Sequence, residues 1–179
     1  MQYSTYYLSP LGKILLASDG ENLTGLWYEG QKYFAATIKE NLIEKPELPL
    51  FITVKDWLDK YFAGKNPSIN EIPLKPEGTE FRKTILKILC EIPYGKTLTY
   101  GEIAKIAAAK LGKSTMSNQA VGGAVGHNPI SIIIPCHRVV GKNGSLTGFA
   151  SGIDKKIKLL ELEKVNMKNF FIPAKGTAL

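Results

Sequence analysis

The sequence predicts an α/β chain in two parts, a strand-rich first half and a mostly helical second half. Three observations predict it. Short apolar runs over residues 3–8, 13–18 and 23–29 are separated by Ser-Pro-Leu-Gly and Asp-Gly-Glu-Asn turns, as in an antiparallel meander. A stretch rich in Gly, Pro and Asn over residues 63–77 reads as a linker. Beyond it, apolar residues recur at helical spacing inside a basic segment. At 179 residues and 44% hydrophobic, the chain can bury a sizeable core in one domain or two small ones, and the division is placed at 1–77 and 78–179.

In the first half the meander is followed by a predicted helix over residues 32–41, a Pro-rich passage over 45–49 and a second helix near 53–62. Trp57, Tyr61 and Phe62 recur there at helical spacing and are core candidates. No recognisable chemistry falls before Glu77; the carboxylates lie singly among lysines.

The second half opens with a helix over residues 79–90, in which Phe81, Ile85, Ile88 and Leu89 form one face. Cys90 lies late in that pattern as a buried, inert thiol. After the turn at Pro93-Tyr94-Gly95, Thr99-x-x-Glu102 is a capping box that starts another helix and holds Tyr100 in its first turn, a place that suits packing as well as function. A polar turn over 110–115 leads to Ser117, the N-cap of a third helix running to about 126. Two helices joined by a turn in a basic segment read as a helix-turn-helix.

That third helix carries Gly122 and Gly123, each costing ~1 kcal/mol against Ala. At 100° per residue, Ala120, Gly123, Ala124 and His127 share one arc, with Val121 and Val125 on the core side. The small arc admits a close neighbour, either a strand or a nucleic-acid groove. Next, residues 130–134 read as a buried strand ended by Pro135, which delivers Cys136 and His137 into a bend. A free thiol titrates near ~8.5, so a nucleophilic role needs a basic neighbour, and His137 is adjacent. The alternative for a lone Cys at a strand end is packing. Val139-Val140 and Leu146-Thr147 flank an Asn-Gly turn as a hairpin, and a final helix, capped by Ser151 with Asp154 in its first turn, runs to about 164.

Charge and cysteines narrow the function classes. Residues 79–164 hold 13 basic against 6 acidic side chains, residues 1–78 hold 8 against 10, and the excess of the whole chain is +7. Such an asymmetry suits a polyanionic partner, or a solvated basic face. Two cysteines and two histidines make neither a disulfide framework nor a zinc site, so no metal and no cofactor are expected. The absence of an apolar run of ~20 residues or of a signal-peptide pattern points to a cytoplasmic protein that does not enter the membrane.

Ile-Pro-Cys-His-Arg-Val at residues 134–139, preceded by Gly-His-Asn-Pro and followed by an Asn-Gly turn, resembles the active-site signature of the O6-alkylguanine-DNA alkyltransferases. The likeness runs from about residue 79 to 164 and is weaker before it. It implies an α/β N-terminal ribonuclease-H-like domain plus a mostly α C-terminal winged helix-turn-helix domain, with the 139–147 hairpin as the wing. It also implies a single-turnover direct-reversal DNA repair protein. Its partner would be double-stranded DNA carrying O6-alkylguanine, with O4-alkylthymine as a further candidate lesion. No obligate protein partner is implied, and a monomer is.

By the same resemblance, Cys136 is the alkyl acceptor, linked through a water and His137 to a glutamate on the last helix. Periodicity leaves Glu161 and Glu163 both open; matching to the family motif selects Glu163. Tyr100 would supply a proton or hydrogen bond to the departing guanine and help rotate the nucleotide. Asn128 would be the hinge beside the cysteine. The helix bearing Ser117, Gln119, Ala120 and Gly123 would enter the minor groove, with Arg138 and Lys142 as further DNA contacts. Val139, Phe149, Ala150 and Ser151 would line the substrate pocket, backbone carbonyls of Cys136 and Val139 reading the guanine amino group and the Ala150 N–H facing its oxygen.

Three departures stand out. Gln119 replaces a common arginine, Ser151 replaces a glycine, and about five extra residues lie around 110–115. The competing readings are a non-catalytic binder of alkyl damage, a Cys-His hydrolase or amidotransferase, and a plain winged-helix regulator.

Overall fold

The computed structural model describes residues 1–174. Contacts sort them into two units: one of Met1–Gly78 together with Pro129–Ile133, the other of Thr79–Asn128 and the chain from Ile134 on. A division at 77/78 thus misses five residues that leave the second half and join the first.

In the first unit the alternating runs form β1 (Gln2–Ser9), β2 (Gly12–Ser18) and β3 (Leu23–Tyr28), an antiparallel meander as expected. A fourth short strand, β4 (Leu42–Glu44), pairs parallel to β1, giving the order β3-β2-β1-β4. Helix α1 (Pro49–Phe62) starts on its proline and buries Phe51, Val54, Trp57, Leu58 and Tyr61. Each such side chain contributes ~1.5–3 kcal/mol on leaving water.

Three expectations fail here. The helix over 32–41 is absent: residues 32–37 are successive turns with Tyr33 and Ala35 at positive φ. Ala35, Ile38 and Leu42 instead pack on the Leu15, Ala17 and Trp27 cluster, so burial outweighs local helical spacing. The linker over 63–77 is built into the unit: Ser68 caps a turn at Ile69–Glu71, and Leu23 exchanges backbone bonds with Pro73 and Lys75. The strand over 130–134 reduces to one bridge, Ile130 to Leu26, followed by a turn with Ile132 at φ 70°. Its burial was legible, but the two bracketing prolines leave too few residues for a ladder.

The second unit packs α2 (Glu80–Cys90), α3 (Tyr100–Lys110) and α4 (Asn118–Gly126) on one another. Thr99, with the complete Glu102 box, and Ser117 are the N-caps that the sequence marks, and Thr79, read as the first helical residue, is the N-cap of α2. Strand β5 (Leu98–Thr99) pairs parallel with β6 (Val139–Val140), and α5 (Ile153–Leu162) follows.

The expected hairpin closes at its loop, where the Gly141 N–H donates to Ser145 O at 2.7 Å, but has no strand ladder beyond it. Asn143 and Gly144 do take the left-handed conformations of an Asn-Gly turn, at φ 57° and 85°. The arm after it pairs elsewhere: the Leu146 N–H donates to Phe171 O and the Phe171 N–H to Gly144 O. Phe170 joins the Val140, Leu146 and Leu160 cluster. Up to residue 174 the tail is therefore part of the unit; residues 175–179 lie outside the described residues. The cap of α5 is also corrected, since Gly152 at φ 98° occupies the N-cap without a side-chain bond, and Ser151 lies one residue earlier. Ala124, placed on the small outer arc by sequence, is 5% exposed and belongs to the core.

Candidate active site and nucleic-acid cleft

Cys136, His137 and Arg138 form a single 3-10 turn. Pro135, at φ −81° and ψ 64°, makes the inverse γ-turn that precedes it, closed by the Cys136 N–H on Ile134 O at 2.8 Å. Asn128 donates its side-chain amide to Ile134 O at 2.9 Å. Asn128 and Ile134 are the two points where the chain leaves and re-enters this unit, so the amide ties both ends together immediately before the thiol.

Behind the thiol lies a buried polar network. His137 and the Glu163 side chain are fully buried, and Cys136 is 5% exposed. Glu163 is the C-cap of α5, with Lys164 at φ 58° closing the helix through its N–H to Glu161 O. Its carboxylate accepts from His137 Nε2 at 2.6 Å, from Arg138 Nε and Nη2 at 2.8 and 3.0 Å, and from the Gly95 N–H at 3.1 Å. Burial alone would raise this carboxyl, but those hydrogen bonds and the neighbouring positive charge outweigh it and hold Glu163 at about 2. Burial also lowers His137, so the imidazole is neutral. An ionised carboxylate on Nε2 requires Nε2 to carry the proton, which makes Nδ1 the basic nitrogen of the ring.

Arg138 is corrected from a DNA contact to a structural charge. It is 6% exposed, its Nη1 donates to Ile92 O at 2.6 Å, and its guanidinium lies over the Tyr94 ring. A guanidinium that forks onto a buried carboxylate is not available to a phosphate. Gly95 has the opposite constraint of space: it sits at φ 73°, and a Cβ would come 2.9 Å from Glu163 O.

Lys156 was not singled out by the sequence reading, yet it is fully buried. Its Nζ donates to Val139 O and Thr147 O at 2.5 and 2.7 Å, and burial lowers it to about 8. The signal was present: Lys156, Leu159, Leu160 and Glu163 follow i, i+3, i+4, i+7 along α5, so a lysine and a glutamate occupy the buried stripe. Glu163 ends that stripe, while Glu161 is exposed.

In front, an open cleft of about 690 Å³ is lined by Tyr100, Gln119, Gly122, Gly123, Lys142 and Thr147, among others. Cys136 does not line it. Tyr100 connects the two regions: its hydroxyl donates to Thr147 O at a long 3.4 Å, and Thr147 O is the carbonyl that also receives Lys156. Burial, reinforced by the neighbouring Cys136, raises Tyr100 to about 12, so it keeps its proton.

The remaining marked residues divide accordingly. Ser117 caps α4 through the Ala120 N–H, and both residues are exposed. Gly123 is open, and a Cβ there would meet nothing within 4 Å. Val139 and Phe149 are buried, while Ala150 and Ser151 are half-buried in the loop between Gly148 and Gly152. Cys90 is half-buried and pushed by burial to about 11, far from thiolate at neutral pH.

A helix-turn-helix beside an open cleft, with a thiol, a neutral imidazole and an ionised carboxylate packed behind it, defines a DNA-binding protein built around a nucleophilic cysteine. Residues 80–165 match the model of the 6-O-methylguanine DNA methyltransferase DNA binding domain, and residues 2–76 that of its ribonuclease-like domain. The chain belongs to the 6-O-methylguanine DNA methyltransferase family.

It is similar to the methylated-DNA--protein-cysteine methyltransferase of Haemophilus influenzae, 48% identical over 91% of this chain and 87% of the relative. The Methanosarcina mazei protein of the same name is 45% identical over 89% and 96%. Among solved structures, Mycobacterium tuberculosis OGT in complex with DNA aligns with a TM-score of 0.79 at 41% identity, covering 90% of this chain and 92% of that one. The O6-methylguanine DNA methyltransferase of Methanococcus jannaschii aligns at 0.64 and 36%, covering 96% and 100%. The hydrolase and plain-regulator readings fall away with this membership. Among the described residues no helix is long and apolar enough to cross a membrane.

Proposed function

We propose that Cys136 removes the alkyl group from O6-alkylguanine in duplex DNA by direct displacement, once per molecule. His137 accepts the thiol proton at Nδ1 by way of a water, while Glu163 holds Nε2–H and fixes the ring. The sulfur attacks the alkyl carbon in line. The S–C bond forms as the C–O6 bond breaks, and the electron pair passes to the guanine. Tyr100 releases its long bond to Thr147 O and donates to the purine as that charge develops, and the proton given up by the thiol finally restores neutral guanine. The products are guanine and S-alkylcysteine, a thioether with no ready leaving group.

The base must first leave the stack, which costs a few kcal/mol. The open face of α4 at Gly122 and Gly123 suits close approach to a narrow groove, and Gln119 and Lys142 line the same cleft. The pocket for the flipped base is assigned to Val139, Phe149, Ala150 and Ser151. The Val139 carbonyl, already accepting from Lys156, retains a second lone pair for a guanine amino group. Chromosomal DNA as substrate places the protein in the compartment that holds it, the cytoplasm in a cell without a nucleus.

The observation that carries this reading is the sealed His137–Glu163 pair in the turn that bears Cys136. The test is stoichiometry. Titrating O6-methylguanine duplex into the protein should consume one equivalent of lesion and then stop, and Cys136→Ser should consume none. DNA binding without consumption of lesion would make the protein a damage binder; continued turnover would exclude a thioether product.

A further inference from the structure

A second groove, of about 540 Å³, runs between α3 and the 111–117 connection. It shares Gly101 and Asn118 with the DNA cleft, so the two are continuous around the start of α4. Its floor is small and apolar, with Ala104 and Ala108 buried, and its walls carry Lys105, Lys113, Ser114 and Thr115. No acidic residue lines it. The nearby carboxylate, Glu102, accepts from the backbone and hydroxyl of Thr99 and offsets part of the Lys105 charge. Lys113 lines the groove, its backbone N–H donating to Ala108 O at 2.9 Å, in the connection that carries about five residues more than the family pattern. Lys110, by contrast, is paired with Glu91 at 2.8 Å.

We infer that this groove takes the sugar-phosphate backbone of the bound duplex where it runs on past the flipped nucleotide, with Lys105 and Lys113 each neutralising one phosphate. This rests on the reading of the site given above. Its basis is charge and continuity: a strand leaving the cleft at Gly101 and Asn118 meets two ammonium groups over a floor small enough to admit a backbone. Small side chains set the depth, hydroxyls and the Asn118 amide supply neutral donors, and the lysines supply the salt-sensitive part of the affinity. The longer connection thereby extends the footprint along the duplex rather than adding to base recognition.

The experiment measures binding of an unmodified duplex by fluorescence anisotropy across a salt series, for the wild type, Lys105→Ala/Lys113→Ala and Lys110→Ala. Each neutralised phosphate contributes ~0.9 to the slope of log K against log salt, so the double variant should lose ~1.8 from it while Lys110→Ala keeps the wild-type slope. An unchanged slope in the double variant overturns the inference, as does an equal loss in Lys110→Ala, which would indicate a diffuse charge effect. If the double variant fails to fold by circular dichroism, Lys113→Gln alone decides, with half the change expected. Methyl transfer by the wild type is followed on the same samples. Transfer with an unaltered slope rejects the groove alone, whereas binding without transfer rejects the reading of the active site.

Discussion

The second unit holds two polar regions built on opposite terms. Behind the thiol, His137, Arg138, Glu163 and Lys156 are all under about a tenth exposed, and Glu163 alone accepts four hydrogen bonds. In the cleft, Gln119, Gly123 and Lys142 are exposed, and Tyr100 makes one long bond. The Glu163 carboxylate and the Arg138 guanidinium are satisfied within the protein and so keep one geometry and one set of protonation states. The cleft leaves polar capacity open and so awaits a partner. A reaction that occurs once needs an acceptor prepared in advance, and recognition needs a surface that is not.

The largest effect should come from breaking the buried side. Glu163→Gln leaves the Arg138 guanidinium buried without its counter-charge, a change worth ~3–5 kcal/mol of stability, and it removes the partner that orients His137. Single-turnover transfer should slow by ~10²-fold or more, while unmodified duplex binds nearly as before because the cleft is untouched. The acid limb of stability follows from the same residue. With its carboxyl lowered from 4.5 to about 2, Glu163 stabilises fully above about pH 4.5, and that contribution, about 3 kcal/mol, is lost as pH falls towards 2. Urea midpoints across that range should be flatter in the variant, with Asp19, also held at about 2, supplying part of what remains.

Lys156 works in the opposite direction. Its amine is lowered from 10.5 to about 8, so between those values the unfolded chain binds more protons at this site than the folded one, and stability rises with pH there. The gain is up to about 3 kcal/mol. Lys156→Met should abolish that rise in urea midpoints measured between pH 8 and 10.5; an unaltered rise would place its origin elsewhere.

Gly123→Ala sharpens the comparison from the cleft side. A Cβ there meets nothing in the free protein and lies in a helix, so the variant should be more stable by ~1 kcal/mol in thermal unfolding. It should nonetheless bind duplex about tenfold more weakly, a loss of ~1.4 kcal/mol. Gain in both would mean that α4 does not approach DNA through this face. The smallest change expected is from Gln119→Arg, which adds one cation to the cleft wall. Affinity should rise severalfold and the salt slope steepen by ~0.9, with the transfer rate of the bound complex little altered.

What was legible in the sequence follows the same division. The meander, the caps at Thr99 and Ser117 and the Asn-Gly turn are local signals, and local chemistry decides them. Residues 130–134 carry an apolar pattern that is right about burial and wrong about backbone, because paired prolines set the conformation, and over residues 32–41 packing on a neighbouring cluster replaces the helix. The hairpin stops at its loop because Leu146 pairs with Phe171, a partner 25 residues away that no local pattern announces. Arg138 was misread for a related reason: a basic residue in a basic segment suggests phosphate, and only the fold brings Glu163 to it. On α5 the buried stripe holds Lys156 and Glu163 among leucines, and only their buried partners tell these charges from the exposed ones beside them.

The most direct measurement is intact and peptide mass analysis of the protein after one exposure to duplex containing O6-methylguanine. The chain has two cysteines, Cys90 and Cys136, in different environments. One methyl in place of hydrogen on Cys136, with Cys90 unmodified, is the result expected. A methyl on Cys90, or loss of the lesion with no adduct on either thiol, would contradict the account.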